Sequence, residues 1–218
     1  MSAQLALLRD LKQEWEHCTK CDLHRGRKHT VFASGHENAD VMLIAEMPGR
    51  DEDECGYPFV GKAGRQLDMI AEYANVDIGK ELHLTNLVQC QPPKGRSAFE
   101  HEILACWPRL VRQIQIVAPL LIIAAGRAAA HRLVGGQVSV TKDRGQIFDC
   151  NFPGVLTDEV RIPVFVMLHP ADVMRNPDMN PGGALRETLD DFISAFEIVD
   201  KMREEWFGTP PKNRRINR

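Results

Sequence analysis

The sequence predicts an α/β fold of three layers, with helices on both faces of a central, mostly parallel four-stranded sheet. Three observations carry this expectation. Four short runs are continuously apolar, as strands covered on both faces are. Stretches of helical periodicity separate those runs. Gly, Pro or a polar residue closes each one.

Leu5, Leu8, Leu11 and Trp15 recur at helical spacing and predict an amphipathic helix over 3–16. Val41, Met42, Leu43, Ile44 and Ala45 form the first strand, closed by Pro48 and Gly49. A helix follows over 63–74, then a strand over 82–87 stopped by Pro92 and Pro93. The pattern over 98–117 is a long helix, with a kink or boundary expected at Pro108. The third strand spans 120–125; Gly126 closes it before a helix through Leu133. The fourth strand, 164–168, ends at His169-Pro170, and the last helix is expected over 185–202. Residues 1–203 thus read as one domain, and 204–218 as a basic, flexible tail opened by Pro210-Pro211.

The chain has 218 residues, 44% hydrophobic and 26% charged, enough for one domain with a full core and unlike a disordered chain. No apolar run approaches the roughly 20 residues of a membrane helix. Arg9, Asp10, Lys12 and Glu14 interrupt the first stretch, which excludes a signal-peptide pattern. A cytoplasmic protein is expected, in which six cysteines read as thiols or metal ligands rather than disulfides. The net charge of −3 does not itself point to nucleic acid. Affinity for phosphates follows local patches, and two stand out: His24 to His29, and Lys212, Arg214, Arg215 and Arg218. Either patch is equally what a solvated loop or tail looks like.

Glu46, Asn86 and His169 fall at or just past the carboxyl ends of expected strands, the edge where open α/β sheets bind ligands. Cys18 and Cys21 form a Cys-x-x-Cys, while Cys90 follows a strand and Cys106 lies in a helix. Four such thiolates can hold a tetrahedral zinc or a [4Fe–4S] cluster, and spacing alone does not choose. Cys55 and Cys150 lack partners of this kind.

Three segments occur in order: Ala45-Glu46-Met47-Pro48-Gly49-Arg50-Asp51-Glu52-Asp53 running on to Phe59-Val60-Gly61-Lys62-Ala63-Gly64; Thr85-Asn86-Leu87-Val88-Gln89-Cys90; and His169-Pro170-Ala171-Asp172-Val173-Met174-Arg175-Asn176-Pro177. With the cysteines so placed, the chain closely resembles the iron–sulfur uracil-DNA glycosylases, the fourth family of that superfamily, from about Leu11 to Phe196. The resemblance implies a [4Fe–4S] cluster on Cys18, Cys21, Cys90 and Cys106. It also implies a monomer acting on uracil-containing DNA, without a nucleotide cofactor or membrane.

Site roles follow from the same resemblance. Phe59 would stack on the flipped base. The Asn86 amide would accept uracil N3–H and donate to O4, a pairing that cytosine reverses. His169 would face O2, where charge collects as the base leaves. Glu52, or Asp53 beside it, would orient water and stabilise the oxocarbenium-like sugar. Glu46 would close the pocket near C5 and help exclude thymine.

The chain departs from the family pattern in places. Ala45 and Met47 replace the usual Gly and small residue around Glu46, and Gln89 and Gln91 replace basic residues around Cys90. Asp172 puts a negative charge on the loop that inserts an apolar wedge into the duplex, although Val173 and Met174 remain apolar. The basic, His-containing insert of a related branch that links covalently to the abasic sugar is not found between Cys90 and Cys106. These substitutions raise an alternative: a DNA-binding member of the fold that has lost activity or acts on another modified base. A zinc-stapled nucleotide-binding domain is a more distant one.

Overall fold

The computed structural model describes residues 2–150, 161–174, 177–212 and 214. Helix α1 (Ala3–Glu16) starts where the Ser2 hydroxyl accepts the Leu5 amide at 3.1 Å, and it turns Leu8, Leu11 and Trp15 inward. Strands β1 (Ser34–Gly35) and β2 (Val41–Ala45) lead to helices α2 (Arg50–Cys55), α3 (Lys62–Tyr73) and α4 (Ile78–Glu81). Strand β3 (Leu82–Asn86), helix α5 (Glu100–Val117), strand β4 (Leu121–Ala125) and helix α6 (Arg127–Leu133) come next. The chain continues through β5 (Ile147–Cys150), β6 (Ile162–Met167), α7 (Pro170–Val173) and α8 (Ala184–Phe207).

The strands lie in the order β1-β3-β2-β4-β6-β5. The four expected strands are the central ones, and all their pairings are parallel. Among the described residues the sheet nevertheless has six strands rather than four, because β1 and β5 add antiparallel edges. Neither has a legible pattern: β1 is two residues long, and β5 is mostly solvent-facing.

Strand residues alternate between two cores, as the period of two requires. Met42, Ile44, Ile122 and Val164 pack with α5 and α6, whereas Leu43, Leu84, Ile123 and Phe165 pack with α3 and α8. Helix α1 lies outside, with Leu11 and Trp15 in a smaller cluster that includes Val117 of α5. The β2 strand connects to β3 on one side while β4 lies on the other. This reversal leaves a crevice at the carboxyl ends of the strands.

Helix α5 is continuous through Pro108, so no boundary falls there. Proline cannot donate to the carbonyl of Leu104, but Leu104 is 49% exposed and water can satisfy that group. Helix α8 runs past 202 to Phe207 and stops at Gly208, whose φ of 65° suits glycine. Within the stretch expected to be a flexible tail, the buried Arg214 side chain donates to Asp200 at 2.8 and 3.1 Å and to Glu81 at 2.8 Å. Burial alone would raise the Glu81 pKa; hydrogen bonds from Arg214 and Lys212 outweigh it and bring it down to about 2. Arg215 and Arg218 lie outside the described residues. No described helix is long and apolar enough to cross a membrane.

Candidate functional site

A cavity of about 290 Å³ opens at the carboxyl ends of the parallel strands. Glu52, Phe59, Asn86 and His169 line it together, joined by Met47 and Gly61 among others. Segments far apart in the chain therefore meet at one site, and each is held by a distinct local device.

His169 caps the N-terminus of α7. Its Nδ1 accepts the Ala171 amide at 3.1 Å, so the neutral imidazole carries its proton on Nε2. Gly126, at φ 87°, packs behind it; a Cβ there would lie 2.9 Å from the His169 Cβ. The Phe59 ring lies 23° from parallel to the imidazole, with centroids 6.4 Å apart. Phe59 itself has a φ of 58°, a conformation uncommon for an aromatic residue.

Glu52 is buried, and its Oε1 accepts the Gly61 amide at 2.7 Å. A Cβ on Gly49 would come within 2.5 Å of Oε2, so the glycine at this position leaves room for the carboxylate. Asp53 is turned elsewhere and does not line the cavity. Its carboxylate accepts the Lys28 amide at 3.0 and 3.1 Å, and its carbonyl pairs with Nδ1 of His29 at 2.8 Å. Asp53 thereby ties the basic loop to α2. Glu46 also lies outside the cavity lining, with its Oε1 accepting the Ala98 amide at 2.9 Å, whereas the adjacent Met47 forms part of the wall.

Asn86 ends β3, buried, with its side chain at the cavity. Behind it stands a residue that the sequence did not single out. Arg109 is fully buried on α5, and its Nη2 donates to the carbonyls of Asn86 at 2.7 Å and Leu87 at 3.1 Å. Arginine on an amphipathic helix ordinarily faces water, so no periodicity signal distinguishes this one.

Of the loop after His169, Val173 is buried in the core beneath the sheet, while Met174 is exposed. Only the second of these can reach outward, and Arg175 and Asn176 lie outside the described residues. In the basic loop, Arg25 pairs with Asp22 at 3.3 Å and Lys28 with Glu54, so both charges are partly spoken for.

Cys18, Cys21, Cys90 and Cys106 line a separate, narrow hollow with Leu23 and Val88. Arg27 reaches into it, its Nη1 donating to the Cys90 Sγ at 3.3 Å and to the Cys18 carbonyl at 2.6 Å. Burial pushes the Cys90 thiol up to about 11, with Arg27 opposing the rise. Burial also raises Cys21. The donor set is four sulfurs without a histidine or carboxylate in the wall. Among the described residues, no three His, Cys, Asp or Glu side chains form a group that could hold one metal ion. Cys55 is exposed; Cys150 is buried on β5, where burial raises its thiol to about 11.

The profile of the uracil DNA glycosylase superfamily matches residues 32–193. Among proteins similar to this chain, the type-4 uracil-DNA glycosylase of Sulfurisphaera tokodaii is 36% identical, covering 79% of this chain and 78% of its own. The type-4 enzyme of Archaeoglobus fulgidus is 30% identical over 92% and 97% of the two chains. That of Thermotoga maritima is 33% identical over 89% and 96%.

Proposed function

Because the chain belongs to the uracil DNA glycosylase superfamily, and within it to the type-4 enzymes, we propose that it hydrolyses the bond between uracil and deoxyribose in DNA. The products are free uracil and an abasic site. One observation carries the site assignment: Glu52, Phe59, Asn86 and His169 share a single cavity.

A deoxyuridine flipped from the duplex would enter that cavity with its base against Phe59, a contact worth roughly 1–3 kcal/mol. Asn86 would pair with N3–H and O4, leaving buried groups unmatched when cytosine enters. As the C1′–N1 bond breaks, its electron pair passes to the base and collects partly on O2. The Nε2–H of His169 donates to that oxygen. Water adds to C1′ from a position held by Glu52, which takes up its proton and passes it to solvent, while the released uracil anion is protonated from solvent to free uracil. Asp53, expected as an alternative in this role, is committed to the basic loop, and we assign the water to Glu52 alone. With Glu46 held on Ala98, exclusion of thymine would rest on residues that line the cavity, Met47 among them.

Cys18, Cys21, Cys90 and Cys106 would hold a [4Fe–4S] cluster. An all-sulfur hollow with no histidine or carboxylate in its wall fits it. Bound there, the cluster would supply structural cross-linking of the α1–β3–α5 region rather than a step of the reaction. The Arg27 contact to Cys90 would then be a hydrogen bond to a ligating sulfur. The proposal includes action as a monomer in the cytoplasm, without a nucleotide cofactor.

The test is release of uracil from a uracil-containing oligonucleotide under single-turnover conditions, with Asn86→Asp alongside. Wild-type protein should leave an alkali-labile abasic site, and the variant should lose uracil cleavage because its carboxylate offers O4 no donor. An inactive wild-type protein with its metal site loaded would refute the reading.

A further inference from the structure

The cation behind Asn86 has a role that rests on the reading above. Arg109 is 0% exposed, yet its Nη1 and Nη2 meet only neutral acceptors: the Thr85 hydroxyl at 3.1 Å, the Gln113 amide oxygen at 2.6 Å and the two strand-end carbonyls. Its Nε makes no hydrogen bond, and the acceptors of its other two nitrogens are all uncharged. Removing a guanidinium from water without a counter-ion is unfavourable, and an apolar side chain would fill the same space more cheaply. The fork is therefore a poor device for stability alone. It has a direct geometric consequence instead: it fixes the peptide that carries the base-reading amide.

The surrounding groups hold the fork in place. Gln113 Nε2 donates to His83 Nε2 at 2.8 Å, and His83 Nδ1 donates to the His36 carbonyl at 3.0 Å. Thr85 donates to the Phe32 carbonyl at 2.8 Å while accepting from Arg109. Burial holds His83 down at about 4, so it stays neutral and this donor order persists at physiological pH. The guanidinium thus stands as a positive charge held by neutral acceptors behind a pocket where uracil acquires negative charge, and a low-dielectric site magnifies such a field.

We propose that Arg109 is a positioning residue for uracil excision: it locks Asn86 in its base-reading posture and supplies positive potential behind the departing base. The experiment compares wild type, Arg109→Met and Gln113→Glu. The last keeps an acceptor for Arg109 but sets a negative charge against it, and it also replaces the Nε2 donor to His83 with an oxygen. Three quantities are measured at a temperature where each protein is folded: the single-turnover rate, inhibition by free uracil, and affinity for an abasic-site duplex. Arg109→Met should slow excision by on the order of a hundredfold, as a misplaced reactive geometry does. It should weaken uracil inhibition in parallel and leave abasic-duplex affinity unchanged. Gln113→Glu should slow excision by about tenfold, a loss equivalent to 1.4 kcal/mol. A merely structural Arg109 would lower the thermal midpoint without moving the rate or uracil inhibition of the folded protein, and that result overturns the proposal. If Arg109→Met does not fold, Gln113→Glu decides alone: a rate within twofold of wild type overturns it. A wild-type protein that releases no uracil refutes the functional reading instead, and the two failures are distinct.

Discussion

A Cβ added to Gly64 would lie 1.7 Å from the carbonyl oxygen of Phe59, so the first turn of α3 and the Phe59 loop touch backbone to backbone. No side-chain rotation can relieve that overlap. Gly64→Ala must displace Phe59 from the cavity, or α3 from the sheet. It should cost about 1–3 kcal/mol of stability and slow excision by on the order of a hundredfold. Gly26→Ala, where a Cβ meets nothing within 4 Å, is the matched control and should be near neutral in both denaturation and single-turnover assays.

His169→Ala removes the Nε2–H proposed to face O2, the nitrogen left with the ring proton because Nδ1 accepts the Ala171 amide. The loss belongs to the transition state, so kcat and kcat/KM should fall together, by roughly 100- to 1000-fold. Affinity for uracil-containing DNA at fixed salt should persist, because phosphate contacts dominate it. A rate within a few-fold of wild type, or a collapse of binding, would make this histidine a strand-end structural residue.

Protein purified without oxygen should be brown, with about four irons per chain by metal analysis. Cys90→Ser should lower both iron content and thermal midpoint. Stoichiometric zinc in place of iron would remove the cluster from the proposal.

Acid should destabilise the fold through His83. Its pKa falls from 6.5 in the unfolded chain to about 4 when buried, so the unfolded state binds the extra proton between those values. Stability contributed by the neutral ring is complete above 6.5 and is lost as pH falls toward 4, by up to about 3 kcal/mol. Urea denaturation across that window should show the slope in wild type and a flatter line in His83→Gln. Glu81 adds a second loss between 4.5 and about 2, because there the unfolded chain takes up a proton that the bonds from Arg214 and Lys212 keep off the folded carboxylate.

The central sheet was legible because buried parallel strands are apolar throughout, as β2 and β4 are. The edges were not: β1 is two residues long, and β5 is mostly solvent-facing. At the site, Asn86 and His169 were legible as polar residues just where an apolar run stops. The division of labour between adjacent acids was not, since Glu52 and Asp53 differ only in which side of α2 they occupy. Arg109 was invisible for a related reason. Its letter belongs to the surface, and only the packing of α5 against β3 places it in the core.

Cys106 and Arg109 sit three positions apart on α5, both buried, one at the sulfur hollow and the other at the strand end beneath the cavity. A helix turns about 100° and rises about 1.5 Å per residue, so inserting or deleting one residue between them would rotate one group away from its target. This stretch can therefore drift in spelling while its length stays frozen. Gene-length variation in the lineage of this protein should accumulate in the loops and spare the interval from Cys106 to Arg109.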